Sequence, residues 1–429
     1  MPSPVFFARS AAGTFLIPGV LAHLLRLIAL ELVTIFGIAV MALSGHADQR
    51  LLLAFVAAYL LSAALNFARG RGLIASQAER AVLRVLALAF LLGALGLAAW
   101  SHATSLVALP FTLAIVGGFV VREAGFLDAL HALHGASTDS RGRTAAISLL
   151  TGLQPLILGV SVMLAGMLAH WQPEVPFLVA ALGASTILFC SGQSARDPGP
   201  ASADRPWQAV PAPVWLLCAT STLYNAASLL KSRILVPVYV VATTQALGLS
   251  EHVFSVLGVA TGLVATLVIL GRLARQRIDR VDTAPRRMIQ FGLISTSLLV
   301  LLWGVLDIWL LSPDRPWVVA LIALTIVLQT LTTQFWNAGF FAELRRQAAL
   351  AGPEAEAPER TRAFASLWQT GKNLGAPVGF TAAAVFTTDL TQSAGVAVLL
   401  VGAACLATGL GYALLAHRLD PRAAGASAR

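Results

Sequence analysis

Apolar residues run through the chain in long blocks, separated by short polar connections. A hydrocarbon layer about 30 Å thick takes roughly 20 apolar residues per helical crossing, and in lipid only helices or closed barrels satisfy every backbone group. Blocks this long exclude a barrel, so the pattern predicts an all-α integral membrane protein. Twelve spans are expected, near 15–43, 51–68, 82–101, 104–128, 144–169, 175–192, 213–243, 252–273, 288–311, 317–343, 363–387 and 393–416. The stretch SARDPGPASADRPWQAVPAP, from Ser194 to Pro213, divides them six and six. Its proline, alanine and charge read as an exposed linker. The expected organisation is a six-helix bundle over 1–193, a cytoplasmic linker over 194–212 and a second six-helix bundle over 213–429.

Composition agrees: 57% of the residues are hydrophobic and 11% charged, outside the range of soluble domains. The net charge of +9 would point to nucleic acid in a soluble protein, but here the arginines sit in short connections between apolar blocks. That makes them a topology signal. With the N-terminus inside, the inner connections and tails hold 22 of the 29 basic residues, and the outer side holds only Arg50 and Arg315. Both termini are therefore expected in the cytoplasm, in a multi-pass protein of the cell's inner (plasma) membrane. The first apolar block continues past signal-peptide length without a small-residue cleavage pattern, and reads as a retained span. Cys190, Cys218 and Cys405 show no metal spacing and read as small core residues.

The two halves repeat each other. REAGFLDAL, Arg122 to Leu130 in span four, matches WNAGFFAEL, Trp336 to Leu344 in span ten. RGRTAAISLLTGLQ, Arg141 to Gln154, matches RTRAFASLWQTGKN, Arg360 to Asn373. These matches lie at equivalent spans, in the same order and orientation. Two parallel six-span repeats joined by a polar linker resemble the major facilitator superfamily of secondary transporters. The loop after span eight, GRLARQRIDRVDTAPRRM, is similar to that family's gating-loop signature through Gly271, Leu273 and Ala274. Asp279, Arg280, Arg286 and Arg287 fit it after an insertion of about one helical turn. The loop after span two, NFARGRGLIASQAERAVLR, keeps arginines and lacks the acid. Span five has TGLQPLILG in place of the Gly-Pro motif of drug/proton antiporters. The resemblance implies that spans one, four, seven and ten line a central cavity, which two, five, eight and eleven flank. Spans three, six and twelve are nearly featureless Leu, Ala, Val and Gly, as lipid-facing helices would be.

Charge inside the spans is then the candidate chemistry, because each such residue costs about 2.5–3.5 kcal/mol at mid-membrane on insertion scales. The chain has two lysines, Lys231 and Lys372, and both lie within spans. Lys372 is roughly 14 Å along its helix from the cytoplasmic end, at a rise of about 1.5 Å per residue. Gln369, Lys372 and Asn373 form a polar stripe at i, i+3 and i+4, beside a glycine face of Gly371, Gly375 and Gly379 that reads first as close helix packing. The repeat sets Lys372 against Leu153, so the lysine departs from its own template. Tyr224, Ser228 and Lys231 make a second stripe, and Gln329, Thr332, Thr333, Trp336 and Asn337 a third.

Arg26 and Glu31 are buried in span one, about 140° apart around the helix. Glu31 is the carboxylate nearest mid-depth; a dry cavity would raise its pKa, which suits a proton-coupling group, and a static salt bridge is the alternative. Arg122, Glu123 and Asp128 lie toward the inner end of span four, as gating pairs or substrate contacts. His131 and His134, in a cytoplasmic loop, do not make a metal site with their neighbours, and no metal or other cofactor is expected. GKNLGAPVG is not a phosphate loop, and no acid/base or nucleophile constellation points to an enzyme.

These readings converge on a secondary active transporter working by alternating access. It is expected to be proton-coupled through Glu31 and to move a small organic anion or amphiphilic metabolite through an electropositive cavity. Carboxylate siderophores are among the substrates the resemblance accommodates. Lys231, Lys372 and Arg26 would bind the anion, while Tyr224, Ser228, Gln329, Thr333, Trp336, Asn337, Gln369 and Asn373 would orient it. Its partners are then the substrate, the proton and the bilayer, with the oligomeric state left open and a monomer compatible with the pattern. A non-transporting scaffold or receptor with the same fold is the alternative, and it expects the buried charges to pair off.

Overall fold

The structure is a computed structural model that describes residues 18–46, 48–70, 76–100, 106–136, 157–190, 210–276, 285–310, 316–352, 357–386 and 394–418. Every expected span overlaps a helix among these residues. They are α1 (Pro18–Leu43), α2 (Gln49–Gly70), α3 (Ser76–Trp100), α4 (Ala108–Ala136), α5 (Ile157–Ala169), α6 (Val175–Cys190), α7 (Ala212–Ala246), α8 (Val253–Gln276), α9 (Pro285–Leu310), α10 (Pro316–Leu350), α11 (Ala357–Phe386) and α12 (Ala394–Arg418). Among them α1, α3, α7, α9 and α12 contain stretches long and apolar enough to cross a membrane, and six of the others contain shorter apolar helices. The chain is a multi-pass membrane protein. Helix α4 continues to Ala136, so His131 and His134 fall in its last turns and not in a loop.

Contacts divide the chain into two compact units, one of residues 1–201 with 240–269 and the other of 202–239 with 270–429. In the first unit α4 packs on α1, α2 and α3, and α6 packs on α1 and α3. Helix α1 is buried along most of its length, whereas α3 leaves Val85, Leu88, Leu92 and Leu95 exposed. An exposed apolar stripe at that spacing is a lipid-facing surface.

Helix α8 belongs to this first unit up to Ile269, although the repeat assigns it to the second half. The cause is a close approach to α5. Side chains added at Gly166 and Gly258 would each meet the other helix's backbone, with Cβ positions 2.7 Å from the Phe254 carbonyl oxygen and 3.0 Å from the Gly166 Cα. Only glycine allows this spacing. Ser255 Oγ donates to the Gly166 carbonyl at 3.3 Å, and Phe254 stacks on Phe36 of α1 with ring centroids 5.6 Å apart.

In the second unit α9 packs on α10 and α12, and α7 lies between α11 and α12. The glycine face of α11 makes the α7 contact: a Cβ at Gly375 or Gly379 would collide with the carbonyl oxygen of Thr222 or Ala226. Pro377 lies between these glycines. It has no N–H to offer the carbonyl four residues back, that of Asn373.

Candidate functional site

Within the second unit, the expected stripes of α7 and α10 meet. Helix α7 widens into a π-helical turn over Lys231–Leu235, where the Val236 N–H bonds the Lys231 carbonyl. Single π turns inside α-helices collect at functional sites, because the extra residue re-aims the side chains around it. Lys231 is 7% exposed, and its Nζ donates to Gln329 Oε1 of α10 at 2.9 Å. The hydroxyls of Thr332 and Thr333 both donate to the Gln329 carbonyl, at 3.1 and 2.7 Å. Thr332 also shares a hydrogen bond of 2.8 Å with Thr296 of α9. One α-turn-pair before Lys231, the buried Tyr224 hydroxyl engages Thr296 and Ser297. Cys405 of α12 closes the group, near enough to Lys231 to act on it electrostatically.

An aromatic chain continues from this polar cluster. Tyr224 meets Trp336 edge-on with centroids 4.9 Å apart, and Trp336 meets Phe340 at 5.5 Å. Phe340 then contacts Trp368 and Tyr412. Lys372 lies over the Trp368 ring, its Nζ 5.8 Å from the centroid. The two lysines therefore differ in setting. Lys231 is enclosed, while Lys372 is half-buried on a buried tryptophan, where the ring face attracts the cation without neutralising it. Asn373 beside it is buried, Ser228 is half-buried, and Trp336 is buried with its Nε1 making no hydrogen bond among the described residues. The side chains of Gln369 and Asn337 lie outside the described residues.

At one end of the same unit Arg286, in the first turn of α9, donates through Nε to Glu343 Oε1 of α10 at 2.9 Å. Gln347 donates to the same oxygen at 2.7 Å, Arg346 pairs with Oε2 at 3.2 Å, and Arg286 Nη1 reaches the Ala416 carbonyl at 3.3 Å. Arg287 is exposed and Gly271 lies within α8, whereas Asp279 and Arg280 fall outside the described residues. Glu343 was not among the expected residues. Its signal was present in the sequence, as an acid closing the WNAGFFAEL repeat just before Arg345 and Arg346.

In the first unit Arg26 is buried and Glu31 half-buried on α1, and both make interactions there. His23, one turn before Arg26, is 1% exposed and feels the charges of both Arg26 and Arg122. Basic groups of α1 and α4 thus gather in one place. The side chains of Glu123 and Asp128 lie outside the described residues. Among the described residues no group of three metal-ligating side chains occurs.

No family model matches the chain, and no curated protein matches it in sequence. Solved structures do match it in fold. A mutant of the nucleoside transporter NupG superposes with a TM-score of 0.67 at 10% identity, covering 94% of this chain and 99% of that one. A mutant of the peptide transporter POT, in complex with alafosfalin, gives 0.59 at 13%, covering 94% of each chain. A D-xylose-proton symporter gives 0.54 at 13%, covering 91% of this chain and 96% of that one. The chain shares the fold of these transporter structures over nearly its whole length.

Proposed function

We propose that the protein is a secondary active transporter that crosses the membrane twelve times with both termini in the cytoplasm, in the cell's inner membrane, and works by alternating access. Its substrate is a small organic anion or amphiphilic metabolite, and its driving ion is the proton. The observation that carries the reading is Lys372, a half-buried cation seated on Trp368 at mid-helix in a transporter fold. A lysine at that depth is a costly charge, of the kind that marks a substrate pathway within a bundle. Arg26, a cation buried on α1, also favours an anion over a cation. Proton-coupled transport requires a titratable group within the helices; α1 offers the carboxylate Glu31 for it and α7 the amine Lys231. The scaffold alternative draws on the hydrogen bond that already occupies Lys231.

Uptake into proteoliposomes, comparing organic anions with cations and with or without a pH gradient, tests the proposal. Anion uptake stimulated by an inward proton gradient is expected. Flux of neither class would leave the scaffold, and Lys372→Ala with unchanged substrate affinity would remove the binding role of that lysine.

A further inference from the structure

We propose that the coupled proton resides on Lys231, an inference that rests on the proton-coupled reading above. An ammonium has three hydrogens to place and a charge to balance. Here Nζ has one acceptor, the neutral amide oxygen of Gln329 at 2.9 Å, and Lys231 forms no ion pair among the described residues. A 7% exposed side chain cannot make up the difference from bulk water. A neutral amine needs only the one bond that is present, so the enclosed arrangement is built for the unprotonated form.

The groups around it do not change that balance. From α12 comes the Cys405 thiol; from α10 come Gln329, Thr332 and Thr333; from α9 come Thr296 and Ser297, which take up the Tyr224 phenol. On its own helix Arg233 is a second cation two residues on, with interactions of its own, and on α11 Lys372 lies over Trp368. None supplies a carboxylate.

The π turn provides the means of exchange. Lys231 opens that turn, and its carbonyl holds the five-residue hydrogen bond from Val236. Moving the extra residue out of the turn gives up that bond and re-aims the Lys231 side chain. An amine so released takes a proton from water on its nitrogen lone pair, and re-forming the Gln329 bond in the closed turn returns the proton to water. Each transport cycle then carries one proton in and out of the site, with no carboxylate required.

With only two lysines in the chain, the test is direct. Protein labelled with 13C at lysine Cε gives two signals, and Lys372→Arg identifies the one from Lys231. The Lys231 signal is expected to move between its ammonium and amine positions across the pH range in which the purified protein stays folded. A signal fixed at the ammonium position throughout overturns the proposal. In proteoliposomes, Lys231→Met is expected to reduce the stimulation of uptake by an inward pH gradient to onefold; a Lys231→Met protein that keeps the wild-type stimulation overturns the proposal. Wild-type uptake that ignores the gradient removes proton coupling altogether, and this inference with it. A gradient-stimulated wild type with an immobile Lys231 signal removes this inference alone.

Discussion

Arg286 and Glu343, 57 residues apart in sequence, form an ion pair of 2.9 Å in which the acid side chain is 1% exposed and the arginine 16%. Gln347 donates to the same oxygen, and Arg346 lies 3.2 Å from the other. Removing one partner of a buried pair strands the other charge, at a cost of about 3–5 kcal/mol, whereas replacing both with apolar groups is often neutral. Glu343→Ala should therefore lower the stability of the detergent-solubilised protein markedly, and Arg286→Met combined with Glu343→Leu should recover most of the loss. Thermal unfolding of the single and double variants measures this. A single variant as stable as the parent would show that the pair is not a structural tie.

The glycine face of α11 is a second structural commitment. A methyl group at Gly379 would collide with the Ala226 carbonyl oxygen of α7, whereas one at Gly411 of α12 would meet nothing within 4 Å. Overpacking of this kind costs about 1–3 kcal/mol. Gly379→Ala should lower the unfolding temperature while Gly411→Ala leaves it within error, with both purified and melted side by side. Equal effects would mean that α7 and α11 can separate without loss.

Much of this was legible in advance, and the limits have physical causes. Helix positions could be read because a membrane span announces itself within its own 20 or so residues. The α7 stripe was legible too, since Tyr224 and Lys231 share a face by spacing alone. What that face meets was not, because Thr296, Ser297 and Cys405 come from helices tens to hundreds of residues away and carry no mark of pairing. The π turn was hidden for a different reason: one extra residue in KSRIL leaves the hydrophobic pattern unbroken. Glu343 sat at a span end, where an acid among arginines reads as a surface charge, and only its partner on α9 shows that it is buried. The sequence assigns α8 to the second half, whereas its residues up to Ile269 cluster with the first unit, where Gly166 and Gly258 bring it against α5.

That α5–α8 contact gives a third expectation. A Cβ at Gly166 would stand 2.7 Å from the Phe254 carbonyl oxygen and 2.9 Å from the Gly258 Cα. Gly166→Val must push the helices apart, breaking the Ser255 hydrogen bond to the Gly166 carbonyl. In a background with the native cysteines replaced, Met163→Cys with Gly262→Cys places two thiols where Met163 Cβ and a Gly262 Cβ are 3.1 Å apart, so that a small outward shift brings them to the roughly 3.5–4.5 Å of a disulfide. Oxidative cross-linking of that pair should be efficient in the parent and should fall several-fold when Gly166→Val is added. Undiminished cross-linking would show that the two helices tolerate the added bulk.

The setting of Lys372 on Trp368 predicts how affinity should respond to each partner. The ring holds the ammonium 5.8 Å from its centroid, a contact worth about 0.5–1 kcal/mol when partly exposed. Loss of the ring by Trp368→Leu leaves the charge in place but frees its position, so substrate affinity should fall by roughly two- to fivefold. Lys372→Ala removes the charge itself and should weaken binding of an anion by more than tenfold, with Lys372→Arg intermediate because a planar guanidinium can still lie on the indole face. Scintillation proximity binding with a labelled substrate, once uptake has identified one, orders the three variants. If Trp368→Leu proved as damaging as Lys372→Ala, the indole would be a direct substrate contact and not the seat of the lysine. A neutral substrate bound equally well by all three would place recognition away from α11, and so away from the residue whose charge sets this helix apart from its counterpart in the first half.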